Sequence, residues 1–170
     1  RKQRIGFGVT GFLVKDWDFI NGYNVRDTQQ TVYDSIPPSL LNCFDDIYHQ
    51  DWIDDGISIE VMRNNNIKYC VKDHQIIIPH YYGLDGRLIG IRCRNLIEET
   101  IEKGNKYMPV YLQGMDFAHS LSGNLYGLCR NKNTIKKLRK AMIVESEKGV
   151  LQCETMYGEN NFTVATCSSN

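Results

Sequence analysis

Apolar and polar residues change their spacing several times along the chain, and each change marks an element. Leu40, Leu41, Phe44, Ile47 and Tyr48 fall on one stripe at helical spacing, with Asp45 and Asp46 outside it. Ser39, behind Pro37-Pro38, stands as the N-cap of this helix, and Trp52 and Ile53 carry the pattern on to Gly56, a natural C-cap. The pattern predicts a helical layer over 40–62 with Leu41, Phe44 and Ile47 buried. Ser58 starts a second short helix, with Ile57 and Met62 at the staple positions around it. After Asn64-Asn65-Asn66 the period becomes that of strands. Segments 75–81 and 87–94 flank Asp85-Gly86, a hairpin-turn signal. In the second of these strands Ile89, Ile91 and Cys93 share one face, while Arg92 and Arg94 share the other beside Gly90.

The last third of the chain reads as helix, strand, helix, strand. Asn133 caps a basic helix over 134–140, with Ile135 and Leu138 inward. Ala141, Met142, Ile143 and Val144 form a run too short for a helix and suited to a sheet interior. Glu145 sits where that strand ends, and Ser146 N-caps a helix running through Val150, Leu151 and Met156 to Gly158. A second short strand follows over 162–166. Near the other end, Phe7 and Val9 alternate with glycines in a segment that reads as a strand or an arm. A nucleotide loop is the second reading there, since no Gly-Lys-Ser/Thr follows. Residues 15–36 show no clear period, and 103–109 is a polar loop holding Lys103, Lys106 and Tyr107.

Charge changes the picture only when its distribution is considered. The chain has 20 basic and 20 acidic residues. From Arg130 to Lys140 there are six Lys or Arg and no acid, whereas Asp45 to Glu60 holds six acids and no Lys or Arg. The acids read as solvated helix faces, with a metal site as the minor alternative. Six scattered cysteines without a C-x-x-C pair fit free thiols in a reducing cytoplasm and give no zinc-ligand spacing. No apolar run has the length that spans a bilayer. At 170 residues the chain suits one domain or two small subdomains, and its opening on Arg1 rather than Met points to a piece of a longer protein.

Two places carry candidate chemistry. Glu145 falls outside the carboxyl end of a strand, where ligands gather in open α/β sheets, so its carboxylate can bind a metal or handle protons. Equally, Glu145 and Glu147 can simply complement the positive end of the helix that follows. Gly90 beside Arg92 and Arg94 leaves room for a close approach to the backbone. The competing reading is an ordinary solvated edge with two arginines.

The order of these segments resembles the catalytic core of bacterial-type (DnaG-like) DNA primases, particularly those of phages and mobile elements. The matching pieces are Trp52-Ile53-Asp54-Asp55-Gly56-Ile57-Ser58, then Ile76-Ile77-Ile78-Pro79-His80 with Asp85-Gly86 and the strand through Arg94. Asn105-Lys106-Tyr107, Leu125-Tyr126-Gly127-Leu128 and Val144-Glu145-Ser146-Glu147-Lys148-Gly149-Val150 follow in family order. The last piece is similar to the opening of a TOPRIM domain. The resemblance implies an α/β fold, in which a mixed α+β subdomain precedes the first strand-helix-strand of a TOPRIM fold. It implies an arm or linker over 1–35, the α/β subdomain over 36–128 and an incomplete TOPRIM start over 129–170.

In function, the resemblance implies synthesis of short RNA primers on single-stranded DNA from ribonucleoside triphosphates, with Mg²⁺ or Mn²⁺. Glu145 would be the catalytic and metal-organising carboxylate; Arg92, Arg94 and Lys106 would line the template and nucleotide groove. Arg suits phosphate through paired hydrogen bonds and Lys through point charge. A replicative helicase would be the partner of the whole protein, in the cytoplasm. The family has a later Asp-x-Asp strand that completes the metal site, glycine where this chain has Ser146, and often an acid at Gly149. One glutamate alone leaves a hard Mg²⁺ short of oxygen ligands, so the fragment by itself is expected to be inactive. The alternatives are another TOPRIM enzyme (a topoisomerase or nuclease) and a non-catalytic nucleic-acid-binding module.

Overall fold

The computed structural model describes the chain except residues 1, 6–8, 15–31, 113 and 168–170, and at 2–5 and 9–14 it describes the backbone alone. Most of the aperiodic stretch 15–36 thus lies outside the described residues. The first strands are β1 (Lys2–Ile5) and β2 (Val9–Val14). A 3-10 turn at Pro38–Cys43 leads to helices α1 (Gln50–Asp54) and α2 (Ile59–Asn64). Strands β3 (Lys68–Cys70), β4 (Gln75–Tyr81) and β5 (Leu88–Asn95) precede α3 (Glu98–Glu102). Then come β6 (Tyr107–Pro109), β7 (Tyr111–Leu112) and β8 (Met115–Asp116), followed by α4 (Leu128–Leu138), β9 (Ala141–Val144), α5 (Glu147–Tyr157) and β10 (Thr163–Ala165). No described helix is long and apolar enough to cross a membrane.

This mixed α/β chain divides into two units, one of Arg1–Val32, Tyr82–Gly86 and Ser120–Asn170, the other of Tyr33–Tyr81 and Arg87–His119. The division differs from the expected boundaries at 35 and 128. Tyr126 exchanges backbone hydrogen bonds of 2.9 and 3.0 Å with Ala165 of β10, which draws the segment before α4 into the later unit. The segment read as a strand or an arm supplies β1 and β2, which form a sheet with β9 in the order β1-β2-β9-β10.

In that sheet β9 and β10 run parallel and β2 runs antiparallel to β9. The parallel pair needs a crossover, and α5 provides it. Ser146 caps α5 as expected, its hydroxyl accepting from the Gly149 amide at 3.4 Å, and Gly158 closes it. Helix α4 corrects the expectation at Asn133: it begins six residues earlier, capped by Gly127 with φ of 83°. The earlier start lets Asn131 donate to the Thr163 carbonyl at 2.8 Å and puts Ile135 in a cluster with Ala141 and Val164. A side chain at 127 would meet Val150 at 2.8 Å, so only glycine fits. Leu138, expected inward, is exposed.

The second unit is built on an antiparallel sheet in the order β3-β4-β5-β6. Ile77 pairs with Cys93 and Pro79 with Ile91, while Ile78 pairs with Arg92 and Ile76 with Arg94. Ile77, Leu88, Ile91 and Cys93 pack in one apolar cluster with Leu41, Phe44, Val110 and Phe117. The expected continuous helix over 39–56 does not form. Pro38 stands at the first turn of a 3-10 segment that has no side-chain cap, so Ser39 is not the N-cap. Phe44 is extended, and Asp45 exchanges two 2.9 Å backbone hydrogen bonds with Tyr69, which uses the groups a helix would need. His49 then caps α1, its Nδ1 accepting from the Asp51 amide. Leu41 and Phe44 reach the core through this break, but Ile47 lies beyond it and is 46 % exposed. Ser58 caps α2 at 3.2 Å, with Ile57 and Met62 both buried.

Replacing Phe44 with Ala is expected to cost about 3–5 kcal/mol, because it empties an enclosed site in this cluster. Chemical denaturation measures it; a loss below about 1 kcal/mol, the level of a surface change, would place Phe44 outside the core.

Candidate functional site

Strand β5 places its two arginines on the sheet face opposite the apolar cluster, because successive side chains alternate. β5 is no solvated edge: β6 pairs along it, setting Tyr107 opposite Arg94 and Pro109 opposite Arg92. The end of the stretch read as a polar loop is thus a strand. The Tyr107 ring centroid lies 5.8 Å from the guanidinium carbon of Arg92 and 5.8 Å from that of Arg94. Its hydroxyl is 3.5 Å from Nη1 of Arg94.

The three cations differ in access. Arg92 is 7 % exposed, Arg94 is half-buried and Lys106 is exposed. Arg94 and Lys106 can therefore meet a ligand directly, whereas Arg92 contributes charge from beneath. Nε of Arg94 is buried and, among the described residues, has no hydrogen-bond acceptor. An unmet donor on a charged group favours an anion whose oxygens can supply the acceptor. Lys106 is held by its backbone: its carbonyl accepts from the Asn95 amide at 2.9 Å. The Asn95 side chain donates to the Asn105 carbonyl at 2.5 Å and accepts from Gln75 at 2.7 Å. Sequence reasoning missed Asn95, a buried amide whose only signal was a polar residue ending an apolar strand.

Gly90 does make room, but for the chain itself. A methyl there would stand 2.0 Å from Nδ1 of His119, whose ring also lies 4.6 Å from that of His80. On the opposite face, burial pushes the Cys93 thiol up to about 11, so it stays protonated and is no nucleophile.

Glu145 belongs to the other unit. It stands exposed directly after β9, and its carbonyl accepts from the Cys167 amide at 3.0 Å. Ser146 has φ of −126°, an ordinary extended value, so serine stands there without strain. The buried acid is Glu147, in the first turn of α5 and 1 % exposed. Gly149, where an acid was noted as common, brings no carboxylate. Among the described residues no group of three potential ligands forms around Glu145, and a lone exposed carboxylate does not make a Mg²⁺ site.

The basic stretch 130–140 is partly used by its own unit. Arg130 pairs with Glu154 at 3.2 Å, Lys132 donates to the Leu84 carbonyl at 2.8 Å, and the Lys140 ammonium lies 4.7 Å from the Phe162 ring. Lys136 and Lys137 remain exposed in the last turn of α4.

No protein-family model matches the chain. The SPbeta prophage-derived uncharacterized protein YorJ of Bacillus subtilis (strain 168) is 38 % identical over 175 residues, covering 99 % of this chain. The chain spans 46 % of that relative's length. Among solved structures, the Aquifex aeolicus primase (zinc binding and RNA polymerase domains) is similar with a TM-score of 0.59 and 18 % identity, over 76 % of this chain and 40 % of that one. A DnaG primase catalytic domain bound to single-stranded DNA matches more loosely, with a TM-score of 0.48 and 17 % identity over 91 % of this chain and 55 % of that one. The similarity to the Aquifex aeolicus primase shows a primase-like fold.

Gly90→Ala is expected to destabilise the chain by about 1–3 kcal/mol, the usual cost of forcing an extra carbon into a packed site. Thermal and denaturant unfolding measure it. A neutral result would show that His119 moves aside freely and that glycine is not required there.

Proposed function

We propose that the chain belongs to a primase-type nucleotidyltransferase that joins ribonucleotides on single-stranded DNA, and that the β5–β6 face holds polynucleotide phosphates. The single observation that carries this reading is the unmet Arg94 donor on β5, in a chain whose fold is similar to that of a primase. Arg94 offers directed N–H groups to phosphate oxygens and Lys106 a mobile point charge. Arg92 adds to the positive potential from its buried place. Ribonucleoside triphosphates would meet the same kind of contact.

Mg²⁺ or Mn²⁺ would neutralise phosphate charge and activate the attacking hydroxyl in such an enzyme. Glu145 would be one ligand, and the described residues gather no others around it. The TOPRIM character of β9-α5-β10, a phage or mobile-element setting, a helicase partner and a cytoplasmic location belong to the same proposal. The relative's prophage origin supports the setting. A second reading, a non-catalytic single-stranded DNA-binding module, is favoured by the isolation of Glu145.

Two measurements test these readings. The chain should bind a single-stranded DNA oligonucleotide with affinity that falls steeply as salt rises. Arg94→Ala should weaken binding for every sequence and flatten the log–log salt slope by about 0.7, one single-strand phosphate contact. If neutralising Lys136 and Lys137 abolishes binding while Arg94→Ala leaves it intact, α4 is the contact and the face assignment is wrong. In the second measurement, single-stranded DNA, ribonucleotides and Mg²⁺ or Mn²⁺ are expected to give no primers with this chain alone. Primer products would show that its metal ligands are complete.

A further inference from the structure

Two guanidiniums on one strand face, two residues apart, repel each other and carry long, rotamer-rich side chains. Something must hold them side by side, and one ring touches both. Tyr107 sits opposite Arg94 in the β5–β6 register, with Arg92 at the diagonal position. Its ring centroid is 5.8 Å from each guanidinium carbon, within the range where the negative ring face attracts a cation. The hydroxyl lies at the long distance of 3.5 Å from Nη1 of Arg94, so the ring is the larger part of the contact with the two guanidiniums. Nε of Arg94 has no acceptor among the described residues.

We propose that Tyr107 is a positioning residue, holding Arg92 and Arg94 through its ring so that Arg94 presents a fixed set of donors to a phosphate. This rests on the reading of the β5–β6 face as a phosphate contact and adds to it the device that orders the contact. Tyr107 need not touch the nucleic acid. Its effect is to fix, before binding, a side chain that would otherwise lose its freedom on binding, and such ordering costs affinity when it is left to the ligand. Because the device is the ring rather than the hydroxyl, phenylalanine should replace it and an aliphatic residue should not.

The test titrates a fluorescein-labelled single-stranded oligonucleotide with the full chain at several salt concentrations. Tyr107→Leu is expected to bind roughly three- to tenfold more weakly, and Tyr107→Phe within about twofold of the unaltered chain. Adding Tyr107→Leu to an Arg92→Ala, Arg94→Ala double variant should change nothing further. The proposal is overturned if Tyr107→Phe loses as much as Tyr107→Leu. It is equally overturned if Tyr107→Leu weakens the arginine-free variant further, since Tyr107 would then contact the nucleic acid itself. If Arg94→Ala weakens binding while Tyr107→Leu does not, the phosphate face stands and the positioning role falls. If Arg94→Ala leaves binding unchanged, both fall. Circular dichroism and thermal melting check folding. Should Tyr107→Leu unfold, Arg94→Lys keeps the charge without the planar stack. It is expected to bind within about twofold of Arg94→Ala, and binding equal to the unaltered chain overturns the proposal.

Discussion

The two-residue period of β5, held between β4 and β6, is the constraint on which the second unit depends. One set of alternate residues, Ile91 and Cys93, enters the cluster with Leu41 and Phe44; the other set, Arg92 and Arg94, faces away from it. A slip of one residue would exchange the two sets and drive guanidinium groups into an apolar interior, at a cost no nearby contact offsets. Register is therefore strongly specified. Asn95 adds a second lock at the end of the strand, reaching Gln75 on β4 and the Asn105 carbonyl before β6. Each consequence for chemistry follows from that register: Tyr107 lies opposite Arg94, the Lys106 carbonyl meets the Asn95 amide, and Gly90 lies under His119.

The other unit is organised by a different rule. A parallel strand pair cannot be joined by a tight turn, so β9 and β10 need α5 between them, and the chain leaves β9 at Glu145. Ser146 satisfies the first turn of α5 and Gly158 its end. The two acids flanking Ser146 separate in consequence. Glu145 stays outside the helix and in solvent, while Glu147 turns inward with the first turn. A carboxylate at a strand end is open to a metal. By itself it supplies too few oxygen ligands to hold one.

Charge counted along the sequence overstates how much of it is available to a ligand. Of the six cations between Arg130 and Lys140, Arg130, Lys132 and Lys140 are engaged by Glu154, a loop carbonyl and the Phe162 ring. On β5 the comparison runs the other way. Two arginines are a small number, yet Arg94 keeps a donor that the described residues do not satisfy. What a charged stretch can offer a ligand is set by which cations the fold leaves unmet: Arg94 on β5, and Lys136 and Lys137 at the end of α4.

Local chemistry was enough to determine much of this protein from sequence. The strands β4 and β5, the Asp85-Gly86 turn, the Ser58 and Ser146 caps and the four-residue β9 formed as read, because each depends on neighbours a few residues away. The face expected for Ile89, Ile91 and Cys93 is corrected at its start, where a register shift puts Leu88 rather than Ile89 in the cluster. The sheet face carrying Arg92 and Arg94 was legible for the same reason. Tertiary structure decided the rest. The helix expected from Ser39 broke because Asp45 pairs with Tyr69, 24 positions later, and α4 started early because Asn131 bonds to Thr163. The use of Gly90 by His119, the burial of Arg92 and the approach of Tyr107 to two guanidiniums arise from partners distant in sequence. Periodicity shows which way a side chain points; only the partner strand decides what it meets there.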